Sequence, residues 1–232
     1  LGWDQQVNMP ENGAASRADQ LESLSRIIHQ KKTSAEFCSI VDELHANTGG
    51  LSPDDQVNVR ETKREIDIDR KLPEEFVAEK TRVCSISYVA WTKARPASDF
   101  AAIRPHLEKI LELARREAEL IGYREHPYDA LLDQFEPYLT LKEVKPLLLN
   151  LGEKLAALIP AIQAKTAGGR PQKGQVADEA QAGLCMKLLA DIGFDFKSGR
   201  LDKTHHPFES SPGRNDVRIT TRYLPDDYLS SV

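Results

Sequence analysis

Metal chemistry is the first possibility to examine, and the chain offers six histidines for it: His29, His45, His106, His126, His205 and His206. A helical zinc site needs two imidazoles one turn apart on one face, with a carboxylate or a third nitrogen to complete the set. No two of these histidines stand at i, i+4. His205 and His206 are adjacent, so on a strand they point to opposite sides and cannot readily share an ion. Nucleophilic catalysis finds no better footing, because there is no G-x-S-x-G turn and no cysteine beside a patterned histidine. Two short strings remain near the end: His206-Pro207-Phe208 and Asp216-Val217-Arg218-Ile219-Thr220. Proline fixes the backbone, Phe208 can fill a core, and His206 can hydrogen-bond a carbonyl. Asp216 and Arg218, two apart on a strand, share a face and can pair.

The elements that must position these residues read mostly as helix. Leu21, Leu24, Ile27 and Ile28 keep helical spacing. Thr33 is the expected cap of a second helix containing Phe37, Ile40, Val41 and Leu44, which Gly49-Gly50 stops. Ser52-Pro53 is a start signal. Val57-Asn58-Val59 and Ile66-Asp67-Ile68 alternate like strands, but the charged stretch 60–65 between them is a good helix former without a turn residue, and a helix with apolar residues on two sides is expected. Pro73 opens a helix with Val77, Cys84, Tyr88 and Trp91 on one face. Asp99 caps the approach to a helix carrying Ile103, Leu107, Ile110, Leu111, Ala114, Ala118 and Ile121. Thr140 caps another, with an apolar stripe of Val144, Leu147, Leu148, Leu151, Leu155, Leu158, Ile159 and Ile162. Asp178 is expected to cap a last helix, closed by Gly193. Beyond it, Phe194 and Phe196 alternate with polar residues and 218–223 is rich in β-branched and aromatic side chains. The expectation is mainly α, with a small antiparallel sheet near the C-terminus. It divides into a helical region 1–165, an exposed linker 166–177 rich in glycine, and a helix plus sheet over 178–232.

Composition narrows the class. The 232 residues are 40% hydrophobic and 29% charged, with a formal net charge of -5. No long basic run points to nucleic acid, and no apolar run approaches the roughly 20 residues of a membrane span. Leu1-Gly2-Trp3-Asp4 lacks the basic start and apolar core of a secretory signal. The three cysteines, Cys38, Cys84 and Cys185, are scattered and odd in number, so buried reduced thiols in a cytoplasmic protein are expected.

Taken in order, the strings resemble one family. Trp3-Asp4-Gln5, Met9-Pro10, Gly13-Ala14 and Arg17-Ala18 match its early W-D-x-x-x-x-M-P…G-x-x-x-R segment. Trp91, Arg95, Asp99 and Phe100 match its W-x-x-A-R…D-F run. Tyr128-Asp129-Ala130-Leu131-Leu132-Asp133 and Phe135-Glu136-Pro137 match its Y-D-x-L-L-D-x-[FY]-E-P string. Phe194-Asp195-Phe196, Gly199-Arg200-Leu201-Asp202, His206-Pro207-Phe208 and the D-x-R-x-T string follow in the same order. Over essentially its whole length the chain resembles the carboxypeptidase Taq family of zinc-type metallocarboxypeptidases.

The resemblance implies a multi-helix, zincin-like peptidase that releases single C-terminal residues from peptides. It implies a divalent metal, zinc or cobalt, held by an H-E-x-x-H helix and a later glutamate, and a homodimer. No H-E-x-x-H occurs here, so the chain reads as the front portion of such an enzyme, cut at both ends. Catalytic and metal ligands are expected outside it, no metal is expected to bind this chain, and the chain alone is expected to be inactive. His206, Pro207, Phe208, Asp216, Arg218 and Thr220 are expected to border the active-site groove in a supporting role. The Val144–Ile162 stripe is expected to face missing helices. The alternative is a non-catalytic helical peptide-binding or interaction protein of the same descent.

Overall fold

A computed structural model describes residues 1–165 and 174–231. Among them nine α-helices precede and flank three strands. Two compact units are formed, one from Glu11–Leu151 and one from Leu1–Pro10 with Gly152–Val232. These boundaries do not coincide with the linker read at 166–177. Residues 166–173 of that linker lie outside the described residues, and 174–177 carry no regular element.

The larger unit contains α2 (Ala14–Lys32), α3 (Ala35–Ala46), α4 (Pro53–Asp69), α5 (Glu74–Ala94), α6 (Phe100–Ile121) and α7 (Pro127–Leu132). Its helices start where capping chemistry allows. Ser34 Oγ accepts from Phe37 N at 3.3 Å and Ser52 Oγ from Asp55 N at 3.2 Å. Asp99 Oδ1 accepts from Ala102 N at 3.0 Å. Thr33, expected to open α3, closes α2 instead: its hydroxyl donates back to His29 O at 2.8 Å, and the next residue, Ser34, takes the cap. The segment 57–68, expected to be a helix with apolar residues on two sides, is helical throughout, inside α4.

Small residues let α2, α5 and α6 approach. Ala18, Ala78, Ser85 and Ser87 are buried, and Phe76 is fully enclosed. Arg26 of α2 ties the first two together through Glu74 and Glu75 of α5. α3 rests on α4 through Cys38, Val41 and Ile66. α6 and α7 share Ala118, Ile121 and Ala130. Cys38 and Cys185 are buried, as expected, but Cys84 is exposed: on α5 the buried residues are Phe76, Ala78, Ser85, Ser87 and Ala94, so the enclosed line is not the one through Cys84.

α8 (Leu141–Lys165) has no buried residue. Its stripe lies open, from Leu147 at 68% exposed to Leu155 at 42%. By length and composition this helix is apolar enough to cross a membrane, contrary to the sequence reading, because 25 helical residues run without a break. Glu153 and Lys154 fall near its middle, where a bilayer tolerates charge least. Exposed apolar area of this extent promotes association. The purified chain is expected to self-associate and to bind the dye ANS, and replacing Leu151 and Leu158 by Lys is expected to reduce both. A monomeric, ANS-silent chain would contradict this.

In the smaller unit are α1 (Gly2–Val7), α9 (Asp178–Asp191) and strands β1 (Gly199–Lys203), β2 (Glu209–Gly213) and β3 (Asp216–Thr221). The N-cap of α9 is Ala177; Asp178 is the first helical residue and pairs with Lys203. Gly193 ends the helix region with φ +86°, a conformation glycine alone adopts freely. The sheet order is β1-β3-β2. β2 and β3 form the expected antiparallel ladder, in which Gly213 faces Asp216 across Arg214-Asn215. β1 is parallel to β3, so the sheet is mixed. The chain leaves β1 through Thr204–Pro207 and enters the hairpin from its other side, which puts β1 on the free edge of β3. Strand composition carries no sign of which edge that will be.

Gln181 of α9 is 1% exposed and organises the loops beside the sheet. Its Nε2 donates to Val176 O at 2.8 Å and Leu224 O at 3.1 Å, and its Oε1 accepts from Leu224 N at 3.3 Å.

Candidate functional site

The two terminal strings meet on β3. Thr220, 8% exposed, grips Phe208 twice through its hydroxyl, which accepts from Phe208 N at 2.7 Å and donates to Phe208 O at 2.8 Å. Thr220 N also donates to Phe208 O at 3.0 Å. The threonine of one string thus fixes the backbone of the other. Pro207, which lacks an N–H, precedes this junction and stays exposed. His206 is exposed, with Nδ1 3.0 Å from Pro207 O.

Replacing Thr220 by Val keeps the shape and removes both hydroxyl bonds. The expected loss is about 1–3 kcal/mol, since a neutral pair is lost and Phe208 N is left without its acceptor. Ser at this position is expected to recover most of the loss. Urea unfolding followed by tryptophan fluorescence reads both; equal midpoints for Thr220→Val and the parent chain would refute the lock.

Asp216 and Arg218 pair as expected, in a two-pronged contact: Nε to Oδ1 at 2.7 Å and Nη2 to Oδ2 at 2.8 Å. The Arg218 guanidinium holds the Asp216 carboxyl below the usual carboxylate range, and Arg218 is raised in return. A lowered carboxylate adds stability above its ordinary pKa of about 3.9 and loses it as pH falls through the lower folded value. The pair is therefore intact at neutral pH.

Three neighbours escaped the sequence reading of the site. Trp3 of α1, 9% exposed, packs its ring 5.4 Å from that of Phe208, and the Arg218 guanidinium lies 5.7 Å from the same ring. Arg200 and Asp202 form a second two-pronged pair on β1, at 2.5 and 2.6 Å. Arg200 stands opposite Arg218 and Asp202 opposite Thr220. In a parallel ladder partners share a face, so the two guanidiniums lie side by side: Arg218 works against the raised pKa of Arg200, while Asp202 adds to that of Arg218. The signal for the second pair was available: Arg200-x-Asp202 repeats the two-residue spacing of Asp216-x-Arg218. The hydroxyl of Thr204 and Nε of Arg222, next in line on these two strands, are buried without a partner among the described residues.

The site balances its charges, two arginines against two aspartates. Its geometry suits positioning: one aromatic pair, one threonine lock and two Arg–Asp forks. Among the described residues no three His, Cys, Asp or Glu side chains gather as a metal would require. The described residues do not gather into a metal site, and no reaction step is assigned to them.

Comparison with known proteins gives the context. The model of the carboxypeptidase Taq (M32) metallopeptidase family matches residues 1–232. Carboxypeptidase 1 of Bacillus subtilis is 37% identical over 237 residues, which take in 100% of this chain and 47% of that protein. The BsuCP crystal structure superposes with a TM-score of 0.89 at 37% identity, covering 99% of this chain and 46% of the other. The Pyrococcus furiosus carboxypeptidase structure, in its apo-Mg form, gives 0.82 at 34%, covering 99% and 47%. The chain spans about half the length of the curated relatives it matches. A family match over its whole length, with the motif order and the fold agreeing, establishes that this chain belongs to the carboxypeptidase Taq (M32) metallopeptidase family.

Proposed function

We propose that the chain is the front half of a metal-dependent carboxypeptidase that removes single residues from the C-termini of peptides, and that it supplies one wall of the substrate groove. The supporting observation is the interlock of Phe208 with Thr220, beside the Asp216–Arg218 fork. Such a wall has no chemistry of its own. When bound, the metal, zinc or cobalt, would polarise the scissile carbonyl and acidify a water. The residues that hold it belong to the half of the relatives that this chain does not cover.

On this reading His206, Pro207, Phe208, Asp216, Arg218 and Thr220 shape the groove and steady the metal-bearing helix, with Trp3 clamping Phe208 and Arg218. Orientation of this kind affects rate without contact to substrate. The working protein is a cytoplasmic homodimer acting on peptides.

The test is a chimera of residues 1–232 followed by the uncovered half of Bacillus subtilis carboxypeptidase 1. It is expected to release C-terminal amino acids from an N-blocked dipeptide, and EDTA is expected to stop it. Arg218→Ala in the chimera is expected to lower kcat with little change in KM. A folded, metal-loaded chimera that releases nothing, while the Bacillus enzyme prepared alongside does, would count against the proposal. The alternative, a non-catalytic peptide-binding protein, requires tight calorimetric binding of a C-terminally free peptide by residues 1–232 alone.

A further inference from the structure

Within the larger unit a surface cavity of about 640 Å³ opens beside the end of α6. Five permanent cations line it: Arg60, Lys63, Arg64, Lys71 and Arg124. Three carboxylates join them, Asp67, Asp129 and Asp133. The chain as a whole is acidic, with a net charge of -5, so a local cation excess is against its trend.

The carboxylates are already engaged. Asp129 accepts His126 N at 3.2 Å and Leu141 N at 2.8 Å, one oxygen to each. Asp133 accepts Tyr138 N at 2.7 Å and pairs with Arg64. Asp67 pairs with Lys63 and also meets Arg70. Two of the cations have no carboxylate among the described residues. Lys71 spends one of its three donors on Ile121 O, at 2.8 Å, which leaves two. Arg124 is exposed and makes no hydrogen bond or ion pair among the described residues.

The cavity rim carries a second unusual feature. Tyr138 sits at φ +71°, a conformation rare for an aromatic residue. Asp133 holds it there through its N–H, and the Arg64 guanidinium lies 5.4 Å from one face of its ring. The residue is 66% exposed, so this strained geometry does not serve burial. Strain maintained by neighbours at a cavity edge is a mark of ligand sites.

We propose that this cavity binds a small phosphate-bearing anion, held by Lys71 and Arg124, with the Tyr138 ring at its rim. Guanidinium and ammonium donors of this kind make charge-assisted bonds to phosphate oxygens.

The test is calorimetry of the 232-residue chain with pyrophosphate and with ADP, at ionic strength matched by sodium chloride. Saturable binding of pyrophosphate is expected. Arg124→Ala, at an exposed position, is expected to weaken it about tenfold, the scale of one charge-assisted hydrogen bond, and Arg124→Glu more. Lys187→Ala, outside this unit, is expected to change nothing. ADP binding more tightly than pyrophosphate, with the advantage lost in Tyr138→Gly, assigns the phosphate to a nucleotide; equal binding assigns it to free polyphosphate. No saturable heat with either anion, or an Arg124→Glu chain that titrates like the parent, overturns the proposal. Thermal shift in the same buffers gives a second readout for each variant.

Discussion

Gly199→Ala will destabilise the sheet-bearing unit by about 3 kcal/mol or more, toward the upper end of what overpacking costs. A methyl group on Gly199 would lie 2.6 Å from Val217 O and 2.4 Å from the Phe194 ring carbon Cζ. The ring centroid lies 5.1 Å from that of Phe196, edge-on, and the ring is the far end of a side chain that can rotate. The carbonyl cannot, because it belongs to the β1–β3 ladder that Val217 N ties to Ser198 O at 2.9 Å. The expected result has two parts. Gly199→Ala shifts the urea midpoint strongly, and the added change Phe194→Leu restores only a minor part. Full restoration would show that the ring, and not the strand, sets the limit.

The second large effect is expected in the other unit. Glu117 of α6 is buried, its side chain 6% exposed, and both of its oxygens lie 2.6 Å from Lys80 Nζ on α5. Lys80→Met leaves that carboxylate in the helix interface without its counter-charge. Loss of one partner from a buried pair costs about 3 kcal/mol, less than the full range because Lys80 itself is partly open to water. Replacing both, Lys80→Met with Glu117→Leu, is expected to recover most of it, because an apolar pair needs no desolvation of charge. A double variant no more stable than Lys80→Met would show that the packing around Glu117, not its charge, is what matters.

Much of this architecture was legible in the sequence, for identifiable reasons. Ser52-Pro53, Asp99 and Gly193 act as start and stop signals because capping is local chemistry. The Asp216–Arg218 pair followed from strand alternation alone. What stayed hidden depends on contacts between residues far apart in the chain. Trp3 lies more than two hundred positions from Phe208, and only the fold brings them together. Glu117 reads as one more surface acid in a charged helix, yet it is among the buried residues of α6 while Leu107 and Leu111 face out at 41% and 48% exposure. The apolar stripes of α6 and α8 are visible in the sequence, but their exposure is not: α8 has no buried residue. The parallel pairing of β1 with β3 was likewise invisible, because strand composition is the same on either edge.

The account rests on this chain holding a wall and not the reactive centre. Incubating purified residues 1–232 with a C-terminally free peptide, with and without EDTA, and measuring released amino acids tests that most directly. The account predicts no release in either case; release in either would contradict it.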